Sequence, residues 1–283
     1  MNRPEYDRAA EDVGNVLLLE HLNLTVPDQG VAALFYVTGL GFTRDPYIDF
    51  GANNMWVNAG ENQFHLPKGA PQRFRGHVGI VAPALDQLHE RLGRIEGALA
   101  GTAFAWWPTD GHTRVTCPWG NQFRAYDHGP DGAMGLGLAY LDAQVPPETA
   151  AGIARFYRDV MGCAATAGAG QAKVRMGRNQ SLRFTETDAP IPAYDGHHVA
   201  VYVADFSGPH GCLAARGLVS EESNAHQYRF QAIYDPDGCA TLTELEHEVR
   251  SLHHPMYQRP LVNRNAGIDV FTYRKGMEHY FPR

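Results

Sequence analysis

Apolar residues along this chain fall into short runs whose spacing switches between two and about three and a half. In 16–26, Leu22, Leu24 and Val26 stand two apart, the period of a strand with one buried face. Pro27-Asp28 ends the run. Val31, Leu34, Phe35 and Thr38 then follow helical spacing across 29–38, and Gly39 and Gly41 supply a stop. Alternation resumes at 42–49, 55–59 and 62–66, so the first unit reads strand, helix, three strands. A second unit begins at Gly76, with a strand at 77–82, a helix at 84–94 and strands near 103–107, 113–116 and 122–126. The glycine-rich segment 128–137 reads as a link. A third unit follows, with a strand to Val145, a helix at 149–160 and strands near 173–176 and 181–185. The fourth runs from His197 through a helix at 208–216 to strands near 228–234 and 240–246.

The second half repeats the first. Phe35-Tyr36 before Gly39-Leu40-Gly41-Phe42 recurs 121 residues on as Phe156-Tyr157 before Gly162-Cys163. His77-Val78-Gly79-Ile80-Val81-Ala82 recurs at the same offset as His198-Val199-Ala200-Val201-Tyr202-Val203. Such self-similarity separates scaffold residues, present in every copy, from polar residues placed on one copy only.

Bulk properties narrow the partners. A chain of 283 residues with 44% hydrophobic and 19% charged residues fits two soluble domains, and no apolar run is long enough to span a membrane. The acidic segment 1–14 does not resemble a targeting sequence, and a cytoplasmic protein is expected. A net charge of -7 gives no electrostatic footprint for nucleic acid, which leaves a small molecule as the expected partner. Cysteines 117, 163, 212 and 239 are dispersed without Cys-x-x-Cys spacing, so neither a disulfide framework nor a thiolate zinc site is expected.

Four βαβββ units carrying Glu20-His21-Leu22-Asn23-Leu24-Thr25-Val26, Phe35-Tyr36, Gly39-Leu40-Gly41-Phe42, Asn62-Gln63-Phe64-His65, Gly76-His77-Val78 and Asp235-Pro236-Asp237-Gly238 resemble the vicinal oxygen chelate superfamily. Its members include glyoxalase I, extradiol ring-cleaving dioxygenases, and bleomycin and fosfomycin resistance proteins. The resemblance runs from about Leu18 to Glu246. It implies an α+β fold in which units pair into two cupped mixed-sheet domains, expected at 15–128 and 136–248, with 249–283 as a C-terminal extension.

In that superfamily metal ligands project into the cup from the first and last strands of paired units. With consecutive units paired, these positions fall on His21, His77, His65 and Arg124 in the first domain. Neutral imidazoles suit Fe(II), foremost for a dioxygenase, and equally Mn, Zn, Ni or Co. Arg124 stands where the superfamily has Glu; it cannot bind a metal and is expected to orient an anionic oxygen of the substrate. In the second domain the positions fall on Tyr140, His198, Leu182 or Arg183, and Leu242, with Glu244 taking the carboxylate position if the strand bulges. His198 and Glu244 are therefore further catalytic candidates. Any single strand histidine is more often a packed, hydrogen-bonded residue than a ligand.

The resemblance implies a metal-dependent dioxygenase or lyase acting on a small oxygenated, plausibly aromatic substrate. A non-catalytic binding or resistance protein, or a glyoxalase-like isomerase, is the alternative. All four tryptophans, Trp56, Trp106, Trp107 and Trp119, favour the first domain as the working one. The chain already holds both pairs of units, which fits a monomer; the tail, with His247, His253 and His254, leaves room for a homodimer.

Overall fold

The computed structural model describes residues 6–49, 51–259, 268, 269 and 271–273. The four βαβββ units are present: β1 (Val16–Asn23), α1 (Gln29–Ala32), β2 (Thr43–Asp49), β3 (Asn54–Ala59) and β4 (Asn62–Pro67) form the first. β5 (Gly76–Val81), α2 (Leu85–Ile95), β6 (Ala105–Pro108), β7 (Thr113–Thr116) and β8 (Gln122–Tyr126) form the second. The third holds β9 (Gly137–Val145), α3 (Ala150–Arg155), β10 (Ala165–Gly168), β11 (Gln171–Met176) and β12 (Gln180–Glu186); the fourth holds β13 (His198–Val203), α4 (Ser207–Ala214), β14 (Val219–Asn224), β15 (Gln227–Tyr234) and β16 (Thr241–Ser251). No helix among the described residues is long and apolar enough to cross a membrane.

The units do not pair in chain order. One eight-stranded sheet runs β14-β15-β16-β13-β1-β4-β3-β2 and the other β10-β11-β12-β9-β5-β8-β7-β6. The first unit therefore shares a sheet with the fourth through antiparallel β1 and β13, and the second shares one with the third through antiparallel β5 and β9. The cups expected inside 15–128 and inside 136–248 are instead each built from both halves. Within each unit the first and last strands are parallel neighbours, β1 with β4 and β13 with β16, which brings the two ligand-bearing strands side by side.

The cores follow the sequence halves even though the sheets do not. Phe35 and Tyr36 pack on Phe123 of the second unit, and Phe156 packs on Phe230 and Tyr234 of the fourth. The repeated Phe-Tyr pair has a backbone cause. After α1 and α3 the helices widen into π-type turns, with Leu40 N–H donating to Phe35 O (2.9 Å) and Met161 N–H to Phe156 O (3.3 Å). The widened turn lets two consecutive aromatic residues face the core, and all four of these rings are fully buried.

Two strands escaped the sequence pattern. β10 is Ala-Thr-Ala-Gly and β14 is Val-Ser-Glu-Glu-Ser-Asn, mostly exposed sheet edges with no apolar face to reveal them. β16 extends to Ser251, five residues past the expected end at 246, because the alternation Leu245, His247, Val249 continues on the face towards the helix-packed core while Glu246, Glu248 and Arg250 stand on the opposite, cup-facing side.

The link at 128–137 is fastened by Asp131. Its carboxylate accepts from Arg183 Nη2 at 2.8 Å on both oxygens, from Lys173 Nζ (2.7 Å) and from Ser181 Oγ (2.5 Å). Burial would push this carboxyl up, but those partners more than offset it and hold it below its ordinary range. The stabilisation is thus complete above that range and lost as pH falls through the lowered value. Asp131→Asn is expected to cost about 1–2 kcal/mol at neutral pH, in denaturant unfolding, and to lose less stability than the parent on acidification.

Candidate metal centre

Alternation on four strands sends one set of side chains to the helix-packed core and the other into the first cup. On β1, Leu22 goes to the core and His21 and Asn23 to the cup; on β4, Phe64 and Leu66 go to the core and Gln63 and His65 to the cup. On β13, Val199 and Val201 are core residues while His198 and Tyr202 face inward with Glu246, Glu248 and Arg250 of β16. His21, His65 and His198 thereby converge, each offering one ligand atom within 4.8 Å of the others. The ring centres of His65 and His198 lie 5.9 and 5.8 Å from that of His21.

Register explains the matching positions. His65 lies opposite Asn23, two residues beyond His21; Glu248 lies opposite Ala200, two residues beyond His198. Glu248 is thus the fourth unit's counterpart of His65, and its Oε2 sits 3.6 Å from His198 Nε2.

The donor atoms are prepared for a cation. His21 Nδ1 faces Glu20 Oε2 at 2.7 Å, which fixes the proton on that nitrogen and turns the lone pair to Nε2. His21 Nε2 and His198 Nε2 are buried and have no hydrogen-bond partner. Asn54 Oδ1 takes one nitrogen of His65 (2.8 Å), whose ring stacks on Trp56 at 4.0 Å. Burial, followed by the neighbouring His21 and His198, pushes His65 down to about 2. Burial likewise pushes His198 down, against the pull of Glu248. Both rings are neutral at physiological pH, the form that binds metals. A neutral imidazole cluster with two orphaned, buried nitrogens fits a divalent first-row ion.

A relay of charges surrounds the cluster. Arg250 bonds Glu20 Oε2 (2.6 Å) and Glu248 Oε1 (2.5 Å), and Arg229 bonds Glu248 Oε2 (2.5 Å) and Glu246 Oε1 (2.7 Å). Burial would raise Glu20, but Arg250 and His21 overcome it and hold the carboxyl at about 2. Glu248, similarly opposed by burial, is held well below its usual range by Arg250 and His198. Three carboxylates against two guanidiniums leave this buried network one negative charge in excess, a deficit that a cation would neutralise.

The tail covers this cup. His254 and Tyr257 meet Tyr202 of the fourth unit, and Arg259 pairs with Asp45 of the first. Met256, Ile268 and Tyr273 pack with Tyr47, Ile48 and Trp56, while 260–267, 270 and 274–283 lie outside the described residues. A cavity of about 380 Å³ remains between Glu20, Gln63, Tyr202 and the tail residues Tyr257 and Arg259. The imidazoles do not line it.

Three sequence assignments change. His77 and Arg124 belong to the other sheet and do not join His21 and His65. Tyr140 likewise stands in the second cup, away from His198. Glu244 is exposed and bonded to Gln231 Nε2 (2.7 Å); no bulge brings it to the cluster, because Glu248 already occupies the carboxylate position. Glu248 and Arg250 fall in the tail on the sequence reading because β16 outruns its expected end, although the period-two alternation through Ser251 carries the signal.

No family model matches the chain, and no curated protein matches it. Solved structures do. Glyoxalase I from Zea mays superposes with a TM-score of 0.58 at 12% identity, covering 84% of this chain and 93% of the maize chain. A putative dioxygenase from Bacillus subtilis gives 0.54 at 13% identity over 87% of each chain. At such identities the likeness is one of fold, and the fold is that of the vicinal oxygen chelate proteins.

Arg259 is only 3% exposed in its side chain and Asp45 0%. Asp45 keeps bonds from Gln63 Nε2 and the backbone of Tyr47 and Ile48. Arg259→Ala strands a buried carboxylate and is expected to cost about 3 kcal/mol of unfolding free energy, with Asp45→Asn/Arg259→Ala recovering part of the loss in a double-mutant cycle.

Proposed function

We propose that this chain, whose fold is that of the vicinal oxygen chelate proteins, is a divalent-metal enzyme for a small substrate with adjacent oxygen atoms. Its centre is His21, His65 and His198, completed by Glu248. The observation that carries the reading is the pair of buried imidazole nitrogens, His21 Nε2 and His198 Nε2, which make no hydrogen bond, the second lying 3.6 Å from Glu248 Oε2, beside a network with excess negative charge. A divalent ion held by these residues would supply Lewis acidity towards the oxygens of the substrate. Fe(II) serves an oxygen-inserting reaction and Zn, Mn, Ni or Co a proton-transfer or lyase reaction at the same donors.

The protein side of the mechanism follows from the contacts. Glu20 holds His21 in one tautomer, and Arg250 holds Glu20 ionised. Arg229 and Arg250 orient Glu248 and keep it deprotonated. Burial pushes both His65 and His198 towards the neutral form, His65 down to about 2. Tyr202, Tyr257 and Arg259 border the adjoining cavity and limit its water.

A second reading has its own support: His21 is 0% and His198 6% exposed, as in a structural centre that ties the first unit to the fourth. Metal content and ligand access separate the readings. Protein prepared without chelator or affinity metal is expected to carry about one divalent ion per chain. His21→Ala and His198→Ala lose it, whereas His77→Ala keeps it. In cobalt-substituted protein, acetohydroxamate, a vicinal-oxygen chelator, is expected to shift the visible bands. Unshifted bands favour the closed structural centre, and absence of metal after anaerobic reconstitution overturns both readings.

A further inference from the structure

The second cup has the same architecture and the opposite chemistry. Its ligand-bearing positions, by the register that places His21 and His65, hold His77 and Arg124 from the second unit and Tyr140 and Arg183 from the third. The Tyr140 ring occupies the space beside Gly79; a Cβ on Gly79 would lie 2.1 Å from the ring. Tyr140 hydroxyl is bonded to His77 Nε2 (3.1 Å) and to the Tyr126 hydroxyl (2.9 Å), and the Arg183 guanidinium lies 3.9 Å over its ring. One imidazole, a phenol and two guanidiniums are no donor set for a cation.

The arginines divide into a paired one and an unpaired two. Arg183 is neutralised by Asp131. Arg114 and Arg124 stand directly opposite each other on β7 and β8, and among the described residues neither has a hydrogen bond or ion pair. Like charges facing across an antiparallel pair destabilise a sheet, here with Arg114 exposed and Arg124 half-buried. Asp142, the carboxylate of this cup, accepts from Thr185 Oγ1 (2.7 Å) and lies 3.8 Å from His77 Nε2, and among the described residues it has no ion pair with Arg114 or Arg124. Nearby, His112 Nε2 is buried without a partner.

Arg114, Arg124 and Asp142 border a cavity of about 510 Å³, whose wall also carries His77, Gln122, Gln144 and Thr185. We infer that this second cup binds a small hydroxylated oxyanion, a carboxylate or a phosphate, with Arg114 and Arg124 clamping the charged group and the Gln144 amide meeting a hydroxyl. Facing guanidiniums match the fork geometry of either anion, and a wall of amides and hydroxyls favours a polar ligand over an aromatic one. The site is separate from the metal centre and holds whether or not that centre is catalytic.

Calorimetric titration of the full chain at low ionic strength, with inorganic phosphate in one arm and malate in the other, tests the inference. Saturable binding of at least one probe is expected, weakened about tenfold or more by Arg124→Gln and by Arg114→Gln. It is expected to be unchanged by Arg94→Gln on the exposed face of α2 or by His21→Ala. Arg114→Gln is also expected to leave the unfolding midpoint level or higher, since it removes a repulsion. The preferred probe identifies the anion class. No saturation by either probe to about 10 mM, binding undiminished in both arginine variants, or binding lost in His21→Ala overturns the inference. A lower midpoint in Arg114→Gln does so as well, because it would give the arginine pair a structural purpose.

Discussion

The pairing of β1 with β13 and of β5 with β9 is the constraint on which the rest depends. These two antiparallel seams join strands nearly 200 and about 60 residues apart in the chain and fix which units face each other. Because strand period is two, the seams also decide which residues enter each cup: one residue of slippage in β13 would send His198 into the core and Val199 into the cup. Helices and aromatic cores hold each half together, while the seams make the functional surfaces shared property of both halves.

Once the seams are fixed, the two cups part ways through a few substitutions at equivalent positions. The first gathers imidazoles and carboxylates, leaves nitrogen lone pairs unpartnered in a buried space, and is negative overall. The second replaces a histidine with Tyr140 and last-strand ligands with Arg124 and Arg183, and is positive. Local electrostatics here follow individual residues on a common backbone, so fold alone specifies neither cup's ligand.

Much of this was legible in the sequence. The four units and the repeat follow from hydrophobic period and from the Phe-Tyr and His-Val motifs, and the cupped α+β architecture from the family resemblance those motifs carry. His21 and His65 were picked out correctly as cup-facing residues, because position on a first or last strand is a local property. Their partner was misassigned to His77, since which unit lies across the cup depends on a long-range seam that leaves no trace in local spacing. Glu248 was missed for a nearer reason, a strand that continues past its expected end, and β14 because an exposed edge has no apolar stripe to show.

The order in which the units meet has a consequence for how this protein can change. Were the two halves separate, identical chains, a two-fold axis would make both cups the same, and any substitution would appear in each. Covalent fusion lifts that equality. Every unit now contributes to one cup only, so a residue altered in the second or third unit leaves the imidazole cluster of the first and fourth untouched, and each cup is free to acquire a ligand of its own.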